Sequence, residues 1–215
     1  MDTSSPATGN PADSGQSGAS AAGNQRPDSA HPDSAHPDSA RPESAPTDGE
    51  RADLLAMLAE CRRFLRFTTR DLTDDQAGQR TTVSELCLGG LIKHVTSAER
   101  GWATFILEGT SAMPDFTAMT EADFARRADE FRMLPGETLA GVLADYAEVA
   151  RRTDDVVASL PDLNVSHPLP NAPWNPPGAR WSARHAIMHI IAETAQHAGH
   201  ADIIRESLDG AKTMG

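Results

Sequence analysis

The chain has 215 residues, 19 basic and 31 acidic, for a formal charge of −12, with 5% aromatic residues and two cysteines. An acidic chain without a basic stripe is a poor partner for nucleic acid or an anionic membrane surface, and no run of about 18 apolar residues is present to span a bilayer. Cys61 and Cys87 make no disulfide framework, so a reducing cytoplasm is the expected location.

Residues 1–50 hold seven Pro and nine Ala but no Leu, Ile, Val or aromatic residue. A segment so poor in apolar surface cannot offset the entropy of ordering itself. It carries a five-residue repeat, Pro27-Asp28-Ser29-Ala30-His31 followed by Pro32 to His36, which matches no solenoid period. The expectation is a disordered, polyproline-II-leaning tail ahead of one domain over residues 51–215. Met1-Asp2-Thr3-Ser4-Ser5 has neither a basic start nor an apolar stretch, so no secretory signal is expected.

Four long helices follow from apolar periodicity. The first spans about Ala52 to Leu72, on a stripe of Leu54, Leu58, Cys61, Leu65, Thr68 and Leu72. Thr73-Asp74-Asp75 and Gly78 break it. The second starts from an N-cap at Ser84 and ends near Gly109, with Cys87, Leu91, His94, Ala98, Gly101 and Phe105 along its seam. The third covers about Glu137 to Leu160, with Leu139, Val142, Tyr146, Val149, Val156 and Leu160 facing inward, and Pro161 stops it. The fourth starts from an N-cap at Ser182 and runs to Leu208, with Gly210 as C-cap. No strand pattern stands out. Between them, residues 110–136 contain a short helix opened by Thr120 with Asp123 in capping-box spacing. Residues 161–181 hold six prolines and Trp174. Long crossovers of this kind let the second and third helices run parallel, in an all-α four-helix bundle.

On the fourth helix, His189, Glu193, His197 and His200 fall within about 80° of one another at 100° per residue. They interrupt an apolar stripe that continues through Ala186, Ile190, Ile204 and Leu208. One such histidine would be read as a hydrogen-bonded core residue, and an i, i+4 Glu–His pair is common on amphipathic helices. Four together, with His94 in the seam of another helix, point to a divalent metal bound by imidazole and carboxylate. Three protein ligands would leave a position open, as catalytic sites do. The spacing by itself leaves the structural and the metal readings both open.

The stretch from His189 to Asp202, His-Ile-Ile-Ala-Glu-Thr-Ala-Gln-His-Ala-Gly-His-Ala-Asp, resembles the last helix of DinB-like proteins. In particular it is similar to the actinobacterial branch of mycothiol transferases and mycothiol-dependent maleylpyruvate isomerase. Leu91-Ile92-Lys93-His94 with Glu99-Arg100-Gly101-Trp102 looks like that family's second helix, and the resemblance spans roughly residues 51–210. It implies a DinB-like four-helix bundle with metal ligands His94, Glu193 and His197. Glu193 stands where many DinB proteins carry a second histidine. Two imidazoles and a carboxylate suit zinc, and also nickel or ferrous iron with open positions. Mycothiol is the implied co-substrate, transferred to an electrophilic small molecule by a monomer or homodimer. A metal-dependent hydrolase using activated water and a non-catalytic, stress-associated metal-binding protein are the alternatives.

His200 is expected to hydrogen-bond the site, or else to replace a ligand. His189 is expected to pack on the far side. Glu99 is read as a motif residue or a surface carboxylate paired with Arg100 or Lys93, Cys87 as a small core residue, and His167 carries no role. Arg180, Arg184 and Trp174 are expected near the mouth of a pocket.

Overall fold

The computed structural model describes residues 48–213, and the expected tail over residues 1–47 lies outside them. Among the described residues the chain forms α1 (Asp48–Phe67), α2 (Asp74–Gly78), α3 (Leu88–Glu108), a 3-10 turn (Gly109–Ala112), α4 (Glu121–Asp129), α5 (Leu139–Ser159), β1 (Ser166–Pro168), β2 (Arg180–Ser182) and α6 (Ala183–Asp209).

Two apolar clusters fix the direction of the four long helices. Leu65, Leu88, Leu91, Val142, Tyr146 and Ile204 share the first, and Phe105, Ile106, Val156, Val157 and Ile187 share the second, onto which Leu54 also packs. So α3 and α5 run parallel from the first cluster to the second, while α1 and α6 run the other way. The expected parallel pair is present. Only residues 109–138 cross the length of the bundle, because the Pro-rich connection begins and ends at the second cluster.

Local chemistry accounts for most helix ends. Thr120 and Asp123 exchange both capping-box hydrogen bonds at α4, Ser182 caps α6 by accepting from the His185 N–H, and Gly210 closes α6 in the left-handed conformation. The expected break after the first helix contains one more helical turn, α2, which Thr73 and Gln76 cap reciprocally.

Four expectations are corrected. The first helix ends at Phe67 rather than Leu72. Thr68 and Thr69 turn their hydroxyls back onto the Leu65 and Arg66 carbonyls, and Arg205 of α6 donates to the Thr68 and Arg70 carbonyls (2.8 and 2.7 Å). Acceptors that would continue the helix are taken, and Asp71 adopts φ 58°. Ser84 is not the cap of α3: its hydroxyl accepts from the Leu86 N–H in a bend, and the helix starts after Cys87. Two strands exist, paired antiparallel with His167 opposite Trp181. At three residues each, with Pro168 in one, they are too short to show a period-2 pattern. At its start, α1 takes in Asp48, Gly49 and Glu50, which composition alone assigned to the tail.

Candidate metal centre

α3 and α6 lie side by side, and their core-facing midlines are mostly apolar, with Leu88, Ile92, Val95 and Ile106 on one and Ala183, Ile190, Ala201 and Ile204 on the other. The His189–Glu193–His197–His200 row lies roughly 75° around α6 from that midline, counting 100° per residue. His94 is likewise displaced to the flank of α3. The sequence reading placed these groups in the core stripe, and the structure places them along its edge. The reason is solvation: a carboxylate at the bundle centre needs a buried cation to pair with, as Glu99 has in Arg62, whereas on the flank Glu193 keeps 30% of its side-chain surface exposed.

His94, Glu193 and His197 meet there. One ligand atom from each lies within 4.8 Å of the others. Glu193 Oε2 is 3.4 Å from His197 Nε2. Two donors bound tetrahedrally to zinc at about 2.0–2.1 Å sit about 3.3 Å apart, so this pair already has the spacing of two ligands. The cluster grades from buried to open, His94 and His197 retaining 9% and 12% of their side-chain surface.

Each donor has a neighbour that orients it. His200 Nδ1 contacts His197 Nδ1 at 3.4 Å, leaving His197 Nε2 toward Glu193. His189 Nε2 stands 3.6 Å from the other Glu193 oxygen, Oε1, rather than packing away from the site. The His197 hydrogen bond, chiefly, holds the Glu193 carboxyl below the usual range against the desolvation that raises it. Desolvation holds His189 below its ordinary value despite Glu193. Beyond His189 lies an aromatic wall, with Trp102 stacked on Trp181 (4.7 Å) and Trp181 on His185 (4.1 Å).

The far side of His94 is closed by a residue pair that the sequence reading passed over. Phe131 stacks on the imidazole at 4.0 Å, and Glu130 Oε2 lies 3.5 Å from His94 Nδ1. Burial pushes the Glu130 carboxyl up, but the neighbouring His94 imidazole and the Ser97 hydroxyl outweigh it and hold the group below the usual range. Glu130 is the C-cap of a short helix that buries none of its residues, so no sequence signal tied it to His94.

Other expected site residues lie elsewhere. Glu99 is buried, not a surface carboxylate. It accepts from Arg62 through both oxygens, Nε to Oε2 at 3.1 Å, and Arg62 also binds Asp154 at 2.8 Å. Cys87 is a buried core residue, and both cysteines are free. His167 Nε2 bonds the Ile106 carbonyl (3.2 Å), tying β1 to α3. Arg184 is held by Glu50 and Asn164, Arg180 by the Ser166 carbonyl, and exposed Trp174 leans on Phe116. Arg180 and Trp174 thus serve loop contacts, whereas Arg184 also lines an open cleft with His185, Met188 and His189.

A helical bundle that gathers two imidazoles and a carboxylate on one flank belongs to the class of bundle proteins with a three-donor polar centre. More particularly, the chain belongs to the mycothiol-S-transferase family, a DinB-like branch, whose profile matches residues 53–210. Membership implies a mycothiol-related transferase activity. No individually curated protein shows a significant match to the chain. No helix among the described residues is long and apolar enough to cross a membrane.

Proposed function

We propose that His94, Glu193 and His197 hold one divalent metal ion and that the protein transfers mycothiol to an electrophilic small molecule. The observation that carries this is the convergence of three lone-pair donors within 4.8 Å, on a chain of the mycothiol-S-transferase family. The donor set fits such an ion: a buried imidazole, a second imidazole with its Nε2 toward the centre, and an ionised carboxylate, all borderline or hard ligands suited to zinc and also to nickel or ferrous iron. When bound, the ion would hold a thiol as its nucleophilic thiolate, favoured by a residual charge of about +1 after one carboxylate and two neutral imidazoles.

The chain's own residues then have distinct parts. Glu193 supplies the charge and, being half-exposed, marks the side from which a thiol approaches. His200 fixes the orientation of His197. His189, with Trp102 and Trp181, walls off one end of the centre and limits water there.

A cobalt-substituted sample tests the reading. Mycothiol, or a simple thiol at higher concentration, should add a sulfur-to-metal charge-transfer band in the near ultraviolet. An unchanged spectrum at saturating thiol, with ester or amide turnover that needs no thiol, would replace the transferase with a metal-dependent hydrolase. Cobalt bound without either response would leave a metal-binding protein.

A further inference from the structure

We propose that Glu130 is a positioning residue that fixes the tautomer and orientation of His94, presenting its Nε2 lone pair to the centre. This rests on the reading of His94 as a ligand, but it also makes a claim about the metal-free protein that can be checked separately.

His94 Nδ1 is fully buried and makes no hydrogen bond among the described residues. A buried ring nitrogen without a partner costs about 1–3 kcal/mol, so such an atom calls for an explanation. The charged group facing it is Glu130 Oε2 at 3.5 Å. The other Glu130 oxygen, Oε1, accepts from Ser97 Oγ at 2.9 Å. Ser97 sits three residues after His94 on α3, so the anchor of the carboxylate and its target belong to one rigid helix.

The segment carrying Glu130 is itself fastened to α3. Lys93 Nζ donates to the Asp129 and Arg132 carbonyls (3.1 and 2.9 Å), on either side of Glu130 and Phe131. Gly90 lets the Phe131–Arg132 backbone lie directly on the helix, since a Cβ there would overlap the Phe131 carbonyl. Cys87 Sγ adds a weak bond to that carbonyl at 3.7 Å. Phe131, stacked on the imidazole with an interplanar angle of 24°, sets the ring plane. Plane and in-plane rotation are thus defined from outside, with Nδ1–H directed at Glu130. A carboxylate in that position also makes the opposite nitrogen a stronger ligand.

Two measurements on full-length wild type, Glu130→Gln and Glu130→Ala test this. The first is long-range proton–nitrogen correlation of the imidazoles in metal-free protein at about pH 8, above the ordinary histidine value, with His94 assigned from a His94→Gln variant. The second is cobalt affinity by competition with a chromophoric chelator. Wild type should show His94 protonated at Nδ1. Glu130→Ala should shift it toward the Nε2-protonated form and weaken cobalt binding about 10–100-fold. Glu130→Gln, whose amide oxygen still accepts, should keep the tautomer and lose less affinity. His94 protonated at Nε2 in wild type, or unaltered tautomer and affinity in Glu130→Ala, overturns the proposal while leaving the metal reading intact. If wild type binds no cobalt yet shows the Nδ1-protonated ring only when Glu130 is present, the metal reading fails and the positioning role stands.

Discussion

Arg62, Glu99 and Asp154, where α1, α3 and α5 meet, and His94, Glu193 and His197, on the flank between α3 and α6, are both polar clusters in a helical bundle, and they are finished differently. In the first, the buried guanidinium and carboxylate satisfy each other, with Asp154 and the Ala150 carbonyl taking two further donors. In the second, three lone-pair donors from His94, Glu193 and His197 converge within 4.8 Å of one another. A closed set of charges holds helices together. An open set of lone pairs offers its interaction energy to something that arrives later, which is the physical difference between a structural polar cluster and a binding site.

The largest effect should come from opening the closed cluster. Arg62→Ala strands the Glu99 carboxylate at 1% exposure, and loss of about 3–5 kcal/mol is expected in urea unfolding. The double variant Arg62→Met/Glu99→Leu should be far milder, because it removes both charges. A single variant no less stable than the double would show that the pair is not the fastening described.

On the proposed metal reading, removing donors from the open cluster should act on metal more than on the fold. Zinc at 100 times its dissociation constant should raise wild-type stability by about 2.7 kcal/mol, and should leave His94→Ala and His197→Ala unmoved. His167→Ala should respond like wild type. If His200→Ala loses the effect and Glu193→Gln keeps it, the ligand set includes His200 in place of Glu193.

Gly90 connects the two kinds of behaviour, because it seats the segment bearing Glu130. Gly90→Ala forces the Phe131–Arg132 backbone off α3, and about 1–3 kcal/mol of destabilisation is expected together with weaker metal binding. A variant of full stability and unchanged affinity would show that the close approach is not needed.

The smallest effect is a pH dependence. Burial holds His189 below its ordinary value of 6.5. As pH falls past about 6.5 the unfolded chain therefore binds more protons than the folded one, and stability drops with acidification from there until the folded group also titrates. The slope of melting temperature against pH in that window should be shallower in metal-free His189→Gln. An equal slope would assign the dependence to another group.

What the sequence determined by itself is what lies within a turn or two of helix. The 3.6-residue periodicity marks α1, α3, α5 and α6, the Thr120–Asp123 box opens α4, and Ser182 and Gly210 bound α6, because each cap is completed by atoms three or four residues away. The i, i+4 spacing of Glu193 and His197 is legible for the same reason. Tertiary contacts decided the rest. The end of α1 depends on Arg205, more than 130 residues on in the chain, and the burial of Glu99 depends on Arg62, 37 residues away. Only the packing of α3 on α6 turns the histidine row from the core midline to a solvated flank, and only the docking of residues 129–133 sets Glu130 against His94. Periodicity records which face of a helix is apolar. It does not record which neighbour will meet the edge of that face, since that choice is made by long-range packing and by the cost of leaving a charge without water.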